Sequence, residues 1–263
     1  MLQVKYGERY LRMSDAFHDF ERHGVPDRDL TMDYSFWVVR QGERVALVDT
    51  GYDVGEREWL GEVSVMPPPD GLAKLGIDPA DVELLVLTHF HFDHIGYVHL
   101  FTRATIVCSR LEWDYWMAKK RSGSLDGEFT TDAMLQQIED AAAEGRVTLI
   151  DDETEVMPGV TAIPLGGHCP GELIVTVESD GRGLILTADA AHYGMQIEHG
   201  WPFFAYTDLD DMLAGLEAIR QLGESTGWDV VPGHDPAVRE KYPSRDVDGL
   251  VSVLMTADPA QPV

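Results

Sequence analysis

The sequence predicts an α/β fold. Two observations carry that expectation: short apolar runs of strand length that break at loops rich in glycine or histidine, and longer segments with helical apolar spacing that alternate with them. Residues 34–40 and 45–49 open the fold as strands, followed by a loop and a short helix ending near Gly76. Residues 81–87 (DVELLVL) are apolar and predict a buried strand that stops at Thr88. The run TIVCS, which holds Cys108, predicts another strand with that cysteine in the core. Residues 112–118 and 131–143 predict helices, the second amphipathic. Three more strands are expected at 160–165, 183–186 and 228–231. Residues 208–222 form the best-patterned helix: Asp208 to Asp211 suit its positive end, and Leu209, Met212, Leu213, Leu216 and Ile219 make an apolar stripe. With 263 residues the chain is expected to be one domain, 1–263, with a mobile proline-bearing tail from about 256. No short-period repeat is visible.

Residues 88–96 read THFHFDHIG, so His89, His91, Asp93 and His94 place four metal-binding side chains within six positions. That density is foreign to core packing, because ionisable groups are seldom buried together without a charge partner. If the chain stays extended past the strand, His89 and His91 project to one side and grip one cation. Asp93 is expected to N-cap a short helix beginning at His94, which redirects the last two ligands to a neighbouring position. Two adjacent metals, each taking part of the motif, are the physical reading. Nitrogen and carboxylate ligands favour Zn2+, with Fe, Mn and Co also admissible. The spacing differs from HExxH, whose histidines lie four apart on a helix. Three later strands end in further candidates: His168 in GGHCPGE, Asp189 in TADA and His234 in PGHD.

At this point the chain resembles the metallo-β-lactamase superfamily, and within it the N-acyl homoserine lactonase-like branch. The resemblance runs through ALVDTG at 46–51, the HxHxDH run, GGHCPGE, TADA and PGHD, and covers about residues 30–240. It implies an αββα sandwich of two packed mixed sheets flanked by helices, with the metal loops along one sheet edge. It further implies that His89, His91 and His168 bind one metal, that Asp93, His94 and His234 bind the other, and that Asp189 bridges them. Asp49 falls where a carboxylate orients a metal-bound histidine. Two residues depart from the pattern: Glu172 stands where lactonases usually carry a second histidine, and His192 where they often carry a tyrosine, with Tyr193 one place off.

The net charge of −26 weighs against nucleic acid and anionic membranes as partners, since no basic cluster exceeds Lys119-Lys120-Arg121. The N-terminus lacks the features of a signal peptide, and no apolar run approaches the ~20 residues of a span, so a cytoplasmic location is expected. Two cysteines suggest no disulfide framework. Cys169, beside His168, is read as a small loop residue. Trp113, Tyr115 and Trp116 form one aromatic group; Tyr193, Trp201, Phe203, Phe204 and Tyr206 form another, which is the better wall for an apolar acyl chain or aromatic ring of a small-molecule substrate. A homodimer is left open.

The expected activity is therefore that of a binuclear metal-dependent hydrolase that opens a lactone with a bridging hydroxide. Asp93 is the expected proton shuttle, and His192 or Tyr193 the donor or carbonyl holder. The rivals are a thioester or acyclic ester hydrolase, an iron-dependent sulfur dioxygenase and a non-catalytic metal-binding protein.

Overall fold

The computed structural model describes residues 1–53, 65–246 and 248–256, so the expected tail lies almost wholly outside the described residues. Twelve described strands form two sheets. The first sheet holds β1 (Leu2–Arg12), β2 (Asp29–Gln41), β3 (Arg44–Val48), β4 (Leu84–Val86), β5 (Thr105–Ser109), β6 (Val147–Ile150) and, at its far edge, Val251–Val253. The second holds β7 (Thr154–Met157), β8 (Val160–Pro164), β9 (Leu173–Ser179), β10 (Arg182–Leu186) and β11 (Asp229–Val231), which makes the Val251–Val253 strand β12. Their orders are β12-β1-β2-β3-β4-β5-β6 and β11-β10-β9-β8-β7. Both sheets are mixed: β3 to β6 pair in parallel beside an antiparallel β12-β1-β2-β3 group, and β10-β11 is parallel beside antiparallel neighbours.

The period of two along each strand sets the layers. Trp37, Val39, Ala46, Val48, Leu84 and Val86 face the second sheet, where Leu173, Val175, Val177, Leu184 and Leu186 meet them. Their neighbours Phe36, Val38, Leu47 and Leu85 face the other way, onto Trp116 and Met117 of helix Arg110–Ser122 and Leu135 and Ile138 of helix Asp132–Ala143. Ile174 and Ile185 face helix Leu209–Thr226 through Leu216 and Ile219. The layers are thus helix, sheet, sheet, helix, the expected αββα sandwich.

Several expectations shift in detail. The strand expected over 81–87 is only Leu84–Val86, because Asp78 accepts from the Ala80 amide and winds residues 79–81 into a 3-10 turn. The three helices begin at Arg110, Asp132 and Leu209, each capped by the hydroxyl or carboxylate just before it: Ser109, Thr131 and Asp208. Leu213 is 38% exposed, about 100° round from Met212 and outside the stripe of Met212, Leu216 and Ile219. The strand expected over 34–40 starts at Asp29 and pairs along most of its length with an additional strand, β1. Among the described residues, no helix is long and apolar enough to cross a membrane.

Candidate metal centre

The candidate ligands come from loops that follow β4, β8, β10 and β11, at one end of the sandwich and across both sheets; they do not run along the edge of one sheet, as expected. After β4 the chain bends at Thr88 and runs without regular structure to His91, whose backbone is extended, then closes the short helix Phe92–Ile95, with the His94 and Ile95 amides donating to the His91 carbonyl. His91 therefore takes the N-cap position, and Asp93 sits inside the first turn, which corrects the expectation that Asp93 caps. The helix starts two residues sooner than expected, at Phe92, whose free amide is satisfied by the Phe129 carbonyl.

Two strand ends carry backbone strain. Asp49 (φ 63°) and Ala188 (φ 44°) lie in the left-handed region. Such conformations persist where the surroundings over-determine them and gather at functional sites. Asp49 is held by the Thr88 amide and hydroxyl, both 2.8 Å from its carboxylate. Ala188 is held by close approach: a Cβ at Gly233 would come 2.3 Å from the Ala188 carbonyl oxygen. Only glycine lets the PGH loop press there, and that approach brings His234 to Asp189.

All seven expected ligands are buried and lie together. One group gathers ligand atoms of His89, His91 and His168, with Cys169; the next gathers Asp93, His94, Asp189 and His234. Asp189 joins them by dividing its oxygens. Its Oδ1 lies 2.8 Å from His234 Nε2 and 3.2 Å from His94 Nε2. Its Oδ2 lies 3.4 Å from His168 Nε2 and 3.8 Å from His89 Nε2. His91 turns Nδ1 inward, 3.0 Å from His168 Nε2.

The outer ring nitrogens are engaged elsewhere. His94 Nδ1 lies 2.8 Å from Asp49 Oδ2, His234 Nδ1 2.7 Å from the Asp33 carbonyl and His168 Nδ1 2.8 Å from the Ala205 carbonyl. His89 Nδ1 lies 3.2 Å from Thr88 Oγ1 and 3.3 Å from Glu172 Oε2. His91 Nε2 lies 3.3 Å from Cys169 Sγ, so this cysteine touches the centre and is no bystander. Partners of this kind fix the tautomer and aim the opposite nitrogen at a cation.

Electrostatics divides the centre. Burial, reinforced by neighbouring imidazoles, holds His89, His91 and His168 below the ordinary histidine range, in the neutral form that binds metal. Burial opposes charge on His94 and His234 too, but Asp189 and Asp93 outweigh it and push both upward. Asp189 is pulled well below its usual range by His192, His234 and His94, against its own burial. Protons thus balance the carboxylates where a cation would. His89 Nε2 and His94 Nε2 are buried and lack hydrogen-bond partners, the unsatisfied inward donors expected of residues that fit a divalent ion. The residue set therefore fits two metal ions.

The other expected residues fall as follows. His192 lies within the cluster: its Nε2 is 3.1 Å from Asp189 Oδ2, and its ring stacks on Phe203 at 3.6 Å. Tyr193 points elsewhere, its hydroxyl donating to the Thr31 carbonyl at 3.3 Å. A cavity of about 210 Å³ over His91 and His168 is walled by Trp116, Phe129, Phe204 and Tyr206, so both aromatic groups contribute. Phe129 was not foreseen, since it stands alone in a polar stretch, EFTTD, with no periodic signal. A larger chamber of about 650 Å³ shares Glu128, Tyr206 and Thr207 with this cavity and has Lys119, Asp208 and Asp211 on its walls.

Comparison with known proteins bears on the fold and the family. The chain is 34% identical over 172 residues to N-acyl homoserine lactonase AttM of Azorhizobium caulinodans, covering 62% of this chain and 61% of that protein. It is 26% identical over 165 residues to N-acyl homoserine lactonase AiiA of Bacillus thuringiensis subsp. kurstaki, covering 62% and 60%. The matched stretch thus spans about three fifths of these relatives' length. Among solved structures, a quorum-quenching N-acyl homoserine lactone lactonase superposes with a TM-score of 0.74 at 22% identity, over 91% of this chain and 94% of that one. AidC, a dizinc quorum-quenching lactonase, superposes with a TM-score of 0.72 at 22% identity, over 89% and 87%. The family model of the metallo-beta-lactamase superfamily matches residues 32–234, more than half of the chain, and the chain belongs to that superfamily.

Proposed function

We propose that this protein is a two-metal hydrolase that opens the ring of an N-acyl lactone. One observation carries the reading: the two oxygens of Asp189 are shared between two sets of inward histidine nitrogens. In this reading His89, His91 and His168 hold a first divalent ion, Asp93, His94 and His234 a second, and Asp189 bridges them. Zn2+ suits that nitrogen and oxygen set. Bound there, the pair would supply a water-derived nucleophile at neutral pH and a Lewis acid for the ester carbonyl.

The chain's own residues do the rest. Asp49 and the Asp33 carbonyl keep His94 and His234 in the tautomer that points Nε2 inward. His192 braces Asp189 Oδ2 from the face covered by Phe203. Asp93 is held above the ordinary carboxylate range by burial and by Asp189, and it is the group that carries a proton to the departing alkoxide. Tyr193 has no part, its hydroxyl being spent on Thr31. Trp116, Phe129 and Phe204 shield the acyl chain from water, while the outer chamber, with Glu128, Asp208 and Asp211, disfavours a carboxylate-bearing tail. The ring-opened product is itself a carboxylate, and the same acidic surroundings favour its release.

The reading is supported by the lactonases that resemble this chain, and it is tested with the Zn2+-loaded protein on acyl homoserine lactones, acyl thioesters and acyclic esters of matched chain length. Proton release on ring opening should be fastest with the lactones. Turnover of thioesters alone would move the activity to a thioester hydrolase, and no turnover of any ester would leave a metal-binding protein.

A further inference from the structure

Glu172 is a buried carboxylate near the centre that the proposed chemistry leaves unused. It is fully buried, and its Oε2 has no hydrogen-bond partner of good geometry. A buried oxygen with no donor is costly, so its surroundings should show what it is kept for. His89 Nδ1 lies 3.3 Å from it. The other oxygen, Oε1, accepts from the Asp189 amide at 3.2 Å. One side chain therefore reaches a terminal ligand of the first position and the backbone of the bridging ligand.

Thr88 Oγ1 also approaches His89 Nδ1, at 3.2 Å, but its own hydrogen is donated to Asp49 Oδ2 at 2.8 Å. Thr88 thus serves the carboxylate behind the second position, and Glu172 supplies the carboxylate behind the first. The loop can carry Glu172 there because Gly171 precedes it: a Cβ at 171 would come 2.2 Å from the Glu112 amide nitrogen. Glu112 is buried as well, accepts from the Phe90 and Gly171 amides at 2.9 Å each, and so ties the histidine loop to the Glu172 loop.

We propose that Glu172 is a positioning residue of the first metal position: Oε2 takes the outer Nδ1–H of His89, Oε1 fixes the Asp189 backbone, and the two ligands are thereby held in register. This rests on the two-metal reading. It gives His89 the same arrangement that Asp49 gives His94 at 2.8 Å, so each position has its own carboxylate–histidine pair.

The test is equilibrium dialysis of wild type, Glu172→Gln and Asp49→Asn against Zn2+ buffered over a wide range of free concentration, with bound metal counted by elemental analysis. Melting of each protein is followed with and without Zn2+. Wild type should fill two positions. Glu172→Gln should need about 10- to 100-fold more free Zn2+ to fill one of them, with the other unmoved. The metal-free Glu172→Gln protein should melt close to wild type, since the amide oxygen still accepts from the Asp189 backbone and the 3.3 Å approach to His89 is poorly aligned, yet its rise in melting temperature on adding Zn2+ should shrink. If that variant fails to fold, Glu172→Met serves, keeping volume without polar atoms. A Glu172→Gln isotherm that overlays wild type, or equal weakening of both positions with a lower metal-free melting point, overturns the proposal while leaving the two-metal centre standing. Wild type that binds no Zn2+ overturns both.

Discussion

The two halves of the centre solve the same problem with different chemistry. The half built by His89, His91 and His168 is neutral, held so by burial and by mutual repulsion among its rings. The half built by Asp93, His94 and His234 is ionised, because Asp189 and Asp93 overcome the cost of burying charge on the two imidazoles. Asp189 belongs to both. On the proposed two-metal reading, the two positions need not share one electrostatic environment. Binding requires ring nitrogens of fixed inward direction, neutral already on one side and freed on the other when a cation displaces the protons that balance the carboxylates.

Removing what the halves share should do most. Asp189→Ala is expected to lose both metals and to lower lactone turnover at least about 1,000-fold, read by elemental analysis and a pH-sensitive assay. His89→Ala and His94→Ala should each leave one metal per chain, and the two single-metal proteins would show whether one half suffices for any turnover. Asp49→Asn should weaken the ionised half by about 10- to 100-fold in metal affinity without unfolding the protein.

Acidity should separate the halves in the metal-free protein. His89, His91 and His168 sit below the ordinary value of 6.5 in the folded state, so as pH falls through 6.5 the unfolded chain gains protons that the folded chain refuses. Their contribution to stability is lost on the acid side. His94 and His234 are raised, so their contribution is fully present below 6.5 and is lost as pH rises through their folded values. Denaturant titrations should therefore show a shallower acid loss below pH 6.5 in His89→Ala, by about 1.4 kcal/mol per pH unit, whereas His94→Ala should keep the wild-type slope there and its deficit should shrink as pH rises above 6.5. Equal slopes in the two variants would erase the distinction. The smallest effect is expected away from the metals: Phe204→Ala, which trims an exposed cavity wall, should raise KM for long-chain substrates more than it lowers kcat.

What could be read in the sequence tracks what is local. His89 to His94 are neighbours in the chain, so their spacing displays the ligands directly, and each later ligand follows an apolar strand. The helix starts shifted by a residue or two where Ser109, Thr131 and Asp208 cap, since a cap is chosen by backbone geometry as well as by residue type. β1 was hidden because one of its two buried faces carries Gln3 and Lys5, opposite Leu2, Val4 and Tyr6; Lys5 pairs with buried Asp33 at 2.9 Å, a partner on another strand. Strands of three or four residues such as β6, β7 and β12 exist through their neighbours and have no periodicity of their own. Glu172 beside His89, Cys169 beside His91 and Phe129 over His91 depend on contacts between loops far apart in the chain, and His192 against Phe203 on the chain folding back on itself after a short helix. Residue spacing cannot display those.

The central claim is that two metal ions at this divided centre perform lactone hydrolysis. Its most direct test is elemental analysis of the purified protein paired with lactone turnover before chelation, after chelation and after restoring Zn2+. Two metals per chain, activity lost with the metals and regained on reloading are expected. A protein that opens lactones at full rate without metal would contradict the claim.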